Sequence, residues 1–302
     1  MGIGLEIPVF GAHAASRAVE LGASRIELNA AGSYVDGGLT PSLEDLENVA
    51  HVKVPVRVMI RPRGPPSEPQ ARDFIYSDNE FERMETDIRR FKEAGILNEA
   101  RGDGFVFGIL KETPQLTNEG GPRVSKCCVD EDRCHKLVKA AYPFKTVFHR
   151  AFDEIVSSDD DGSNIDERHA WNAGLQDVVA CGFDGILTSG GIGHAANNVL
   201  MLDKIIARAE TLGIEIIVCG SVRRHNIGEL VQRLKLNQRD HSTFVHSACL
   251  STPESEHVDA NEVAGILSEL NKISPVVASD KIDNKSHGGF EANNDINSEY
   301  IK

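Results

Sequence analysis

One pattern, a helix followed by a glycine and then by a strand, occurs four times in this chain and limits the folds open to it. Gly22, Gly95, Gly182 and Gly213 each lie just past a helical segment and a few residues before a strand segment. Glycine can adopt the left-handed conformation that ends a helix. Short connections from helix to strand, repeated in this way, place successive strands parallel. The pattern therefore predicts an α/β fold with a parallel sheet.

Eight strand segments alternate with eight helical segments. The predicted strands are Gly4–Val9, Arg25–Asn29, Pro55–Arg61, Gly104–Leu110, Thr146–Arg150, Gly185–Ser189, Glu215–Cys219 and Thr243–Ser247. The predicted helices are His13–Leu21, Leu43–His51, Asn79–Ala94, Glu131–Ala141, Ile165–Cys181, Asn197–Leu212, Asn226–Leu236 and Asn261–Lys272. Eight such units favour a closed TIM (β/α)8 barrel over a doubly wound sheet. We predict a single domain, a TIM barrel over residues 1–273, followed by a polar, disordered tail over residues 274–302.

Charge and hydropathy narrow the classes of function. The net charge of −14 argues against non-specific binding to nucleic acid or anionic lipid, because both favour a basic surface. No apolar run approaches the roughly 20 residues needed to cross a bilayer, and the N-terminus lacks the pattern of a secretory signal. Six cysteines without small-domain spacing indicate reduced thiols. We therefore expect a cytoplasmic protein with no nucleic-acid or membrane partner.

The segment Lys145–Asp153 joins a predicted buried strand to three polar side chains. His149, Arg150 and Asp153 follow the strand without a turn between them. Isolated buried charge is costly, so an imidazole and a guanidinium at this place need a reason. In a barrel of parallel strands, this C-terminal end is where ligands bind. The alternative is that Arg150 and Asp153 merely pair with each other, which leaves His149 unexplained.

Period-two alternation sorts the polar side chains of the first strands. Glu27 and Asn29 share one face of the second strand, and Arg57 and Arg61 share one face of the third. The apolar face must pack under the helices, so the polar face points into the barrel lumen, where Glu6 and Glu27 could meet these arginines. A lumenal salt-bridge network that only holds the barrel together is the competing interpretation.

The candidate site residues fall into two groups. Glu27, Arg61 and His149 are the candidate catalytic residues, because an imidazole beside a carboxylate suits proton transfer between carbon and oxygen. The candidate ligand-binding residues are Glu6, Asn29, Arg63, Arg150, Asp153, Ser189, Gly190 and Gly220. Some of these lie in two glycine-containing turns, Ser189–Gly193 and Gly220–Ser221, whose backbone N–H groups could bind an anion such as phosphate.

The cysteines form no Cys-x-x-Cys metal motif. Cys219 and Cys249 lie at the ends of neighbouring predicted strands, with His246 close by. These three residues could form a soft site for Cu(I). The competing interpretation is that each thiol is a small buried apolar group.

Eight motifs occur in order between residue 5 and about residue 250. They are Leu5-Glu-Ile7, Arg25-Ile-Glu-Leu28, Gly37-Gly-Leu-Thr-Pro-Ser42, Met59-Ile-Arg-Pro-Arg-Gly64, Tyr76-Ser-Asp78, Phe107-Gly-Ile-Leu110, Thr146-Val-Phe-His-Arg-Ala-Phe-Asp153 and Leu187-Thr-Ser-Gly190. This set resembles the CutC family of copper homeostasis proteins. The resemblance implies a TIM barrel, a cytosolic location, a role linked to copper tolerance, and Cu(I) as a candidate ligand.

The sequence departs from the family pattern at two positions. Animal members carry cysteines, proposed as copper ligands, where this chain has Pro8 and Asn29. Neither residue offers a thiolate, so the resemblance does not extend to copper binding by that route. Two main functions stay open: a protein that binds or handles copper, and an isomerase-like or lyase-like enzyme acting on a small, optionally phosphorylated, substrate at the C-terminal face. A non-catalytic scaffold is a third alternative, and self-association is open under each.

Overall fold

The structure is a computed structural model that describes residues 3–68, 71–114, 125–158, 169–239, 243–252 and 255–272. The predicted tail, residues 274–302, lies outside the described residues, as does the start of the predicted helix Ile165–Cys181. The domain boundary near residue 273 therefore stays a prediction.

Eight of the ten strands in the described residues form a closed barrel. The strands are β1 (Gly4–Phe10), β2 (Arg25–Asn29), β3 (Val56–Met59), β4 (Gly104–Phe107), β5 (Leu110–Pro114), β6 (Ser125–Val129), β7 (Lys145–Phe148), β8 (Gly185–Thr188), β9 (Glu215–Val218) and β10 (Phe244–His246). Around the barrel the order is β1-β2-β3-β4-β7-β8-β9-β10, and neighbouring strands pair in parallel. This architecture confirms the predicted TIM barrel.

Helices alternate with the barrel strands. They are α1 (Ala12–Glu20), α2 (Leu43–Asn48), α3 (Asp78–Glu93), α4 (Glu131–Ala141), α5 (Ala151–Val156), α6 (Ala170–Cys181), α7 (Val199–Leu212), α8 (Ile227–Arg233) and α9 (Ala260–Leu270). Two of them begin with a reciprocal capping box, formed by Ser42 with Asp45 and by Ser77 with Glu80. Each box satisfies backbone N–H groups that the first helical turn leaves unpaired. Among the described helices, none has the length and apolar character that a bilayer crossing requires.

Two local features differ from the sequence-based expectation. The predicted strand Gly104–Leu110 ends at Phe107, and Leu110 begins the antiparallel hairpin of β5 and β6, which stands apart from the barrel sheet. Helix α5 follows β7 almost directly, where the sequence analysis predicted none. With only six residues, α5 is too short for a recognisable helical period in the sequence.

The barrel strands separate two groups of buried apolar residues. Leu5, Ile7 and Val9 of β1 belong to the large outer core, which includes buried residues of the helices. A smaller cluster fills the lumen and consists of Met59, Val106, Val147, Leu187, Ile217 and Cys219, with Phe244 packed against it. Because neighbouring residues of a strand point to opposite faces, Glu6 of β1 faces the lumen. The strand alternation thus brings charged side chains to the barrel axis.

Candidate functional site

A cavity of about 340 Å³ opens at the C-terminal ends of the barrel strands. Its polar lining residues are Glu27, Asp36, Arg61, Asp73, His149, Arg150, Asp153, Glu154 and His246. Its other lining residues are Val35, Gly37, Met59, Pro65, Phe74, Leu187 and Ile192. The three predicted catalytic residues therefore line one cavity, at the end of the barrel where the sequence analysis expected a site.

Glu27 reaches the cavity from β2 and is only 3% exposed. Its Oε1 accepts a hydrogen bond of 3.1 Å from the Asn29 side-chain amide, whereas its Oε2 has no partner in the described structure. Burial raises the pKa of Glu27 above its ordinary value, and the nearby negative charge of Glu6 adds to that rise. Asn29, a predicted ligand-binding residue, does not line the cavity and instead holds Glu27 in place.

Glu6, another predicted ligand-binding residue, does not line the cavity. Its carboxylate accepts a hydrogen bond from Arg25 Nε, and its Oε1 lies 2.7 Å from His246 Nδ1. Burial opposes ionisation, but Arg25 and His246 together hold the pKa of Glu6 down to about 2. The same pairing raises the pKa of His246 against the effect of burial. Glu6 is therefore part of a lumenal ion network, which was the alternative to a ligand-binding role for this residue.

Arg25 and Glu215 also belong to this network, although neither was predicted as a site residue. Arg25 joins Glu6 to Glu215, whose Oε2 lies 3.0 Å from Arg25 Nη1, and it stacks over the Phe244 ring at 3.6 Å. The expected meeting of Glu6 with Arg57 does not occur. Arg57 donates to the Gly102 carbonyl and lines a different cavity, near the N-terminal ends of the strands. Arg25 shares the strand face of Glu27 and Asn29, so the alternation contained the signal for it.

His149 lies just after β7, is 3% exposed, and lines the cavity. Its Nδ1 accepts a hydrogen bond of 3.3 Å from the backbone N–H of Ala151, and its Nε2 has no partner among the described residues. Burial, reinforced by the positive charge of Arg61, lowers the pKa of His149 to about 3. The imidazole is therefore neutral near pH 7. With Nδ1 accepting, we assign the ring proton to Nε2, which makes that atom a hydrogen-bond donor.

Arg61 is held in a fixed position on the cavity wall. Its Nη2 donates to Asp73 Oδ2 at 2.7 Å, and its Nη1 donates to the carbonyls of Asp36 and Gly38. Its guanidinium lies over the Phe74 ring, 5.2 Å from the ring centroid. Arg61 Nε is buried and has no partner in the described structure. Asp73 balances the charge of Arg61, so a neutral polar ligand can bind beside it as well as an anion.

Arg63 does not reach the cavity. It donates to Glu80 Oε1 at 2.7 Å and to the carbonyl of Ile75 at 2.8 Å. These contacts fasten the segment before α3 to the first turn of that helix. Arg63 was predicted to bind a ligand, whereas in the structure it links these two segments.

The glycine-containing turn Ser189–Gly193 already holds an anion, the side chain of Asp153. The Asp153 carboxylate accepts hydrogen bonds from the backbone N–H groups of Ser189 and Gly191 and from the hydroxyls of Thr188 and Ser189. Arg150 Nε also lies 3.2 Å from Asp153 Oδ2, so the two residues do pair with each other. The Ser189 and Gly191 N–H groups are thus occupied and cannot bind phosphate, and neither Ser189 nor Gly190 lines the cavity.

Gly220 also lies away from the cavity lining. Its carbonyl accepts a hydrogen bond of 3.0 Å from the Ala195 N–H, and its φ of +93° requires a glycine-like conformation. A side chain at this position would overlap Ser189. Gly220 therefore permits a tight turn and a close approach of two loops.

The predicted thiol site for Cu(I) does not form. Cys219 belongs to the lumenal cluster, whereas Cys249 packs in the outer core, so the barrel wall lies between them. Cys249 lies beyond the end of β10, where its φ of +51° takes the chain out of the extended conformation. Among the described residues, the group of His, Cys, Asp and Glu side chains close enough to share a metal ion is Glu6, Glu27 and His246.

Comparison with known proteins gives a consistent result. The CutC family model matches residues 3–245. A protein of Mus musculus named copper homeostasis protein cutC homolog is 34% identical over 207 residues, which is 68% of this chain and 61% of the mouse protein. The human protein of the same name is 32% identical over 229 residues, which is 76% of this chain and 68% of the human protein. The match thus spans about three-fifths of the length of the mouse relative.

A solved structure agrees with the sequence relatives. The crystal structure of a CutC protein from Streptococcus agalactiae, described as a copper homeostasis protein, superimposes with a TM-score of 0.60 at 25% identity. The superposition covers 82% of this chain and 99% of that one. The shared fold and the match over most of the sequence lead to one conclusion: this chain belongs to the CutC family.

Proposed function

We propose that this chain takes part in copper homeostasis in the cytoplasm and that it acts through the cavity at the C-terminal end of the barrel, by binding a small polar ligand. The names of the mouse and human relatives support the copper role. One observation carries the choice of site. Glu27, Arg61 and His149 all line the cavity, and each has a buried polar atom without a partner among the described residues.

These three atoms define the ligand that fits. An unpaired buried polar atom costs roughly 1–3 kcal/mol, so a ligand that pairs with all three gains affinity from each. His149 Nε2 and Arg61 Nε are donors, which call for ligand oxygens. Glu27 Oε2 can accept from a hydroxyl. A small hydroxylated or carboxylated molecule meets these requirements, and Met59 and Leu187 offer apolar contact to its carbon skeleton.

The cavity does not fit Cu(I) as a directly bound ion. Cu(I) favours thiolate and thioether sulfur, whereas Met59 is the sulfur-containing residue in this lining. Cys219 is fully buried, and burial raises the pKa of its thiol far above the ordinary value, which opposes the thiolate form. The proposed copper role therefore depends on the small ligand that the cavity binds.

A growth assay tests the copper role. The full chain is expressed in a bacterial strain whose own CutC gene is deleted, and growth is measured across a series of copper concentrations. We expect the chain to change the copper concentration that halves growth, relative to an empty vector. Equal growth curves with and without the chain, at a verified level of folded protein, would contradict the role.

A second candidate function is an isomerase-like or lyase-like enzyme acting in the same cavity. The observation that favours it is that a buried carboxyl of raised pKa, Glu27, and a neutral imidazole, His149, line the same cavity. A carboxylate with a raised pKa suits proton abstraction, and a neutral imidazole N–H can polarise a carbonyl oxygen. The substrate would be a small hydroxy-carbonyl compound.

Solvent-exchange spectroscopy tests the enzyme. The protein is incubated in D2O with a panel of small hydroxy ketones, hydroxy acids and sugar phosphates, and deuterium uptake beside the carbonyl is followed by NMR. His149→Gln should lose the exchange, whereas His135→Gln, an exposed histidine on α4, should keep it. Equal exchange by both variants would remove His149 from the chemistry.

A further inference from the structure

Glu27 is a buried carboxyl group without a cation in direct contact. It is 3% exposed, and the described structure places no Lys, Arg or His nitrogen within 4.0 Å of its carboxylate. The Asn29 amide is its hydrogen-bond donor, and its Oε2 is unpaired. The nearest cation-forming group, His246, is hydrogen-bonded to Glu6 and not to Glu27, so a proton or a bound ion on Glu27 would improve its poor charge compensation.

The surroundings of Glu27 favour a metal ion as the source of that charge. Glu6, Glu27 and His246 come from the adjacent strands β1, β2 and β10, and each offers a ligand atom within 4.8 Å of the other two. Ligand atoms around one first-row ion lie roughly 3 Å apart, since metal–ligand distances are about 2.0–2.2 Å. Small side-chain movements, in which the ion replaces the hydrogen bond between Glu6 Oε1 and His246 Nδ1, would therefore close the three residues on one ion.

The strand register brings these residues near one another. Glu6 is opposite His246 in the β1–β10 pair, and Glu27 lies on β2 two residues beyond Arg25, the residue opposite Glu6 in the β1–β2 pair. Glu27 and His246 also line the cavity, whereas Glu6 lies behind them. Three protein ligands with one side open to a cavity is the arrangement of catalytic metal sites.

We infer that Glu6, Glu27 and His246 form a binding site for a divalent transition-metal ion of the Zn²⁺ class, open to the cavity. Two carboxylates and one imidazole suit such borderline ions and do not suit Cu(I). Arg25, which donates to Glu6 and is held by Glu215, fixes the orientation of one ligand from behind. Partners of this kind commonly orient metal ligands. The inference goes beyond the proposed function, because it needs neither copper nor an organic ligand.

Zn²⁺ itself is the probe. The full chain, freed of metal by a chelator and kept reduced, is titrated with Zn²⁺ in a calorimeter, and the result is checked by the rise in the melting temperature with Zn²⁺. We expect one ion per chain. Glu27→Gln and His246→Gln should each weaken binding roughly tenfold or more, whereas the exposed-site controls Glu47→Gln and His135→Gln should bind as the wild type does.

Co²⁺ binding provides a second, spectroscopic test of the site. Its visible absorption reports the coordination number, so a band that appears with the wild type should be absent from Glu27→Gln. That variant should fold, because it removes a buried charge and keeps the size of the side chain. It therefore decides the question even if His246→Gln fails to fold.

Two results would overturn the inference. One is the lack of stoichiometric Zn²⁺ binding by the wild type, which would mean that a proton supplies the missing charge on Glu27. The other is binding that persists unchanged in folded Glu27→Gln, which would place the ion elsewhere. Neither result bears on the copper growth assay, so failure of the metal site and failure of the proposed function can be told apart.

Discussion

The carboxylate of Asp153 is bound by Ser189 through both the backbone and the side chain. Ser189 Oγ donates to Asp153 Oδ2 at 2.6 Å, and the Ser189 N–H lies 3.0 and 3.2 Å from the two carboxylate oxygens. The end of β8 thus captures a side chain from α5, which begins immediately after the segment that carries His149. This link fixes the position of one wall of the cavity relative to another.

Asp153→Asn should therefore destabilise the protein strongly. An amide replaces one acceptor oxygen by a donor, and it cannot accept all the N–H and O–H groups that now converge on the carboxylate. We expect a loss of roughly 2–4 kcal/mol in the free energy of unfolding, measured by urea denaturation. Asp132→Asn, an exposed position on α4, serves as the control and should change stability by less than about 0.5 kcal/mol. Similar losses for both variants would show that Asp153 does not hold the loop.

The neutral His149 predicts a specific pH dependence of stability. Its pKa is about 3 in the folded protein against an ordinary value of 6.5, so below pH 6.5 the unfolded chain takes up a proton that the folded chain does not. Stability must then fall as the pH drops from 6.5 toward 3. Between pH 7 and pH 5, the wild type should lose roughly 2 kcal/mol more than His149→Gln, which lacks this group. The His135→Gln control should retain the wild-type loss, and an equal loss in His149→Gln would show that His149 titrates normally.

Gly38→Ala tests the contact between Asn29 and Glu27. Gly38 has a φ of +90°, and a Cβ there would overlap the Asn29 amide that holds Glu27. Gly95→Ala is the matched control, because Gly95 also has a positive φ, of +68°, but has open space around it. Both variants should lose about 1 kcal/mol to backbone strain, and Gly38→Ala should lose at least about 1 kcal/mol more. Equal unfolding free energies would mean that Asn29 can move without cost.

The cysteine pair should be irrelevant to Cu(I). Cys219 and Cys249 lie on opposite sides of the barrel wall, so one ion cannot bridge them. The variant with both residues replaced by alanine should show the same Cu(I) stoichiometry as the wild type in an anaerobic competition with a chromophoric chelator. Loss of a stoichiometric ion from the folded double variant would restore the soft site that the sequence suggested.

The barrel could be predicted from sequence because it depends on local signals. Helix-ending glycines and apolar strand segments repeat along the chain, and period-two alternation assigned Glu27 and Arg61 to the lumenal face. The same rule would have included Arg25, which has the parity of Glu27. Each of these features can be read from one segment of the sequence at a time, so they can be predicted without any tertiary information.

The rest of the site depends on contacts between distant segments. Asp153 meets Ser189 across 36 positions of sequence, and nothing in the local pattern of either residue shows that the N–H groups of the turn are occupied. Asp73 and Phe74 reach the cavity from a segment outside the barrel strands. Cys249 was misplaced because it was taken as the end of a strand, whereas β10 ends at His246 and Cys249 has a left-handed backbone conformation.

The central claim, that the chain acts through this cavity, is tested most directly by copper tolerance of the deletion strain carrying Glu27→Gln. Glu27 lines the cavity and Glu47 lies exposed on α2, so Glu47→Gln is the control for the same chemical change. At equal levels of folded protein, we predict that Glu47→Gln restores the growth curve of the wild-type chain and that Glu27→Gln does not. Full restoration by Glu27→Gln would contradict the claim that this cavity carries the function.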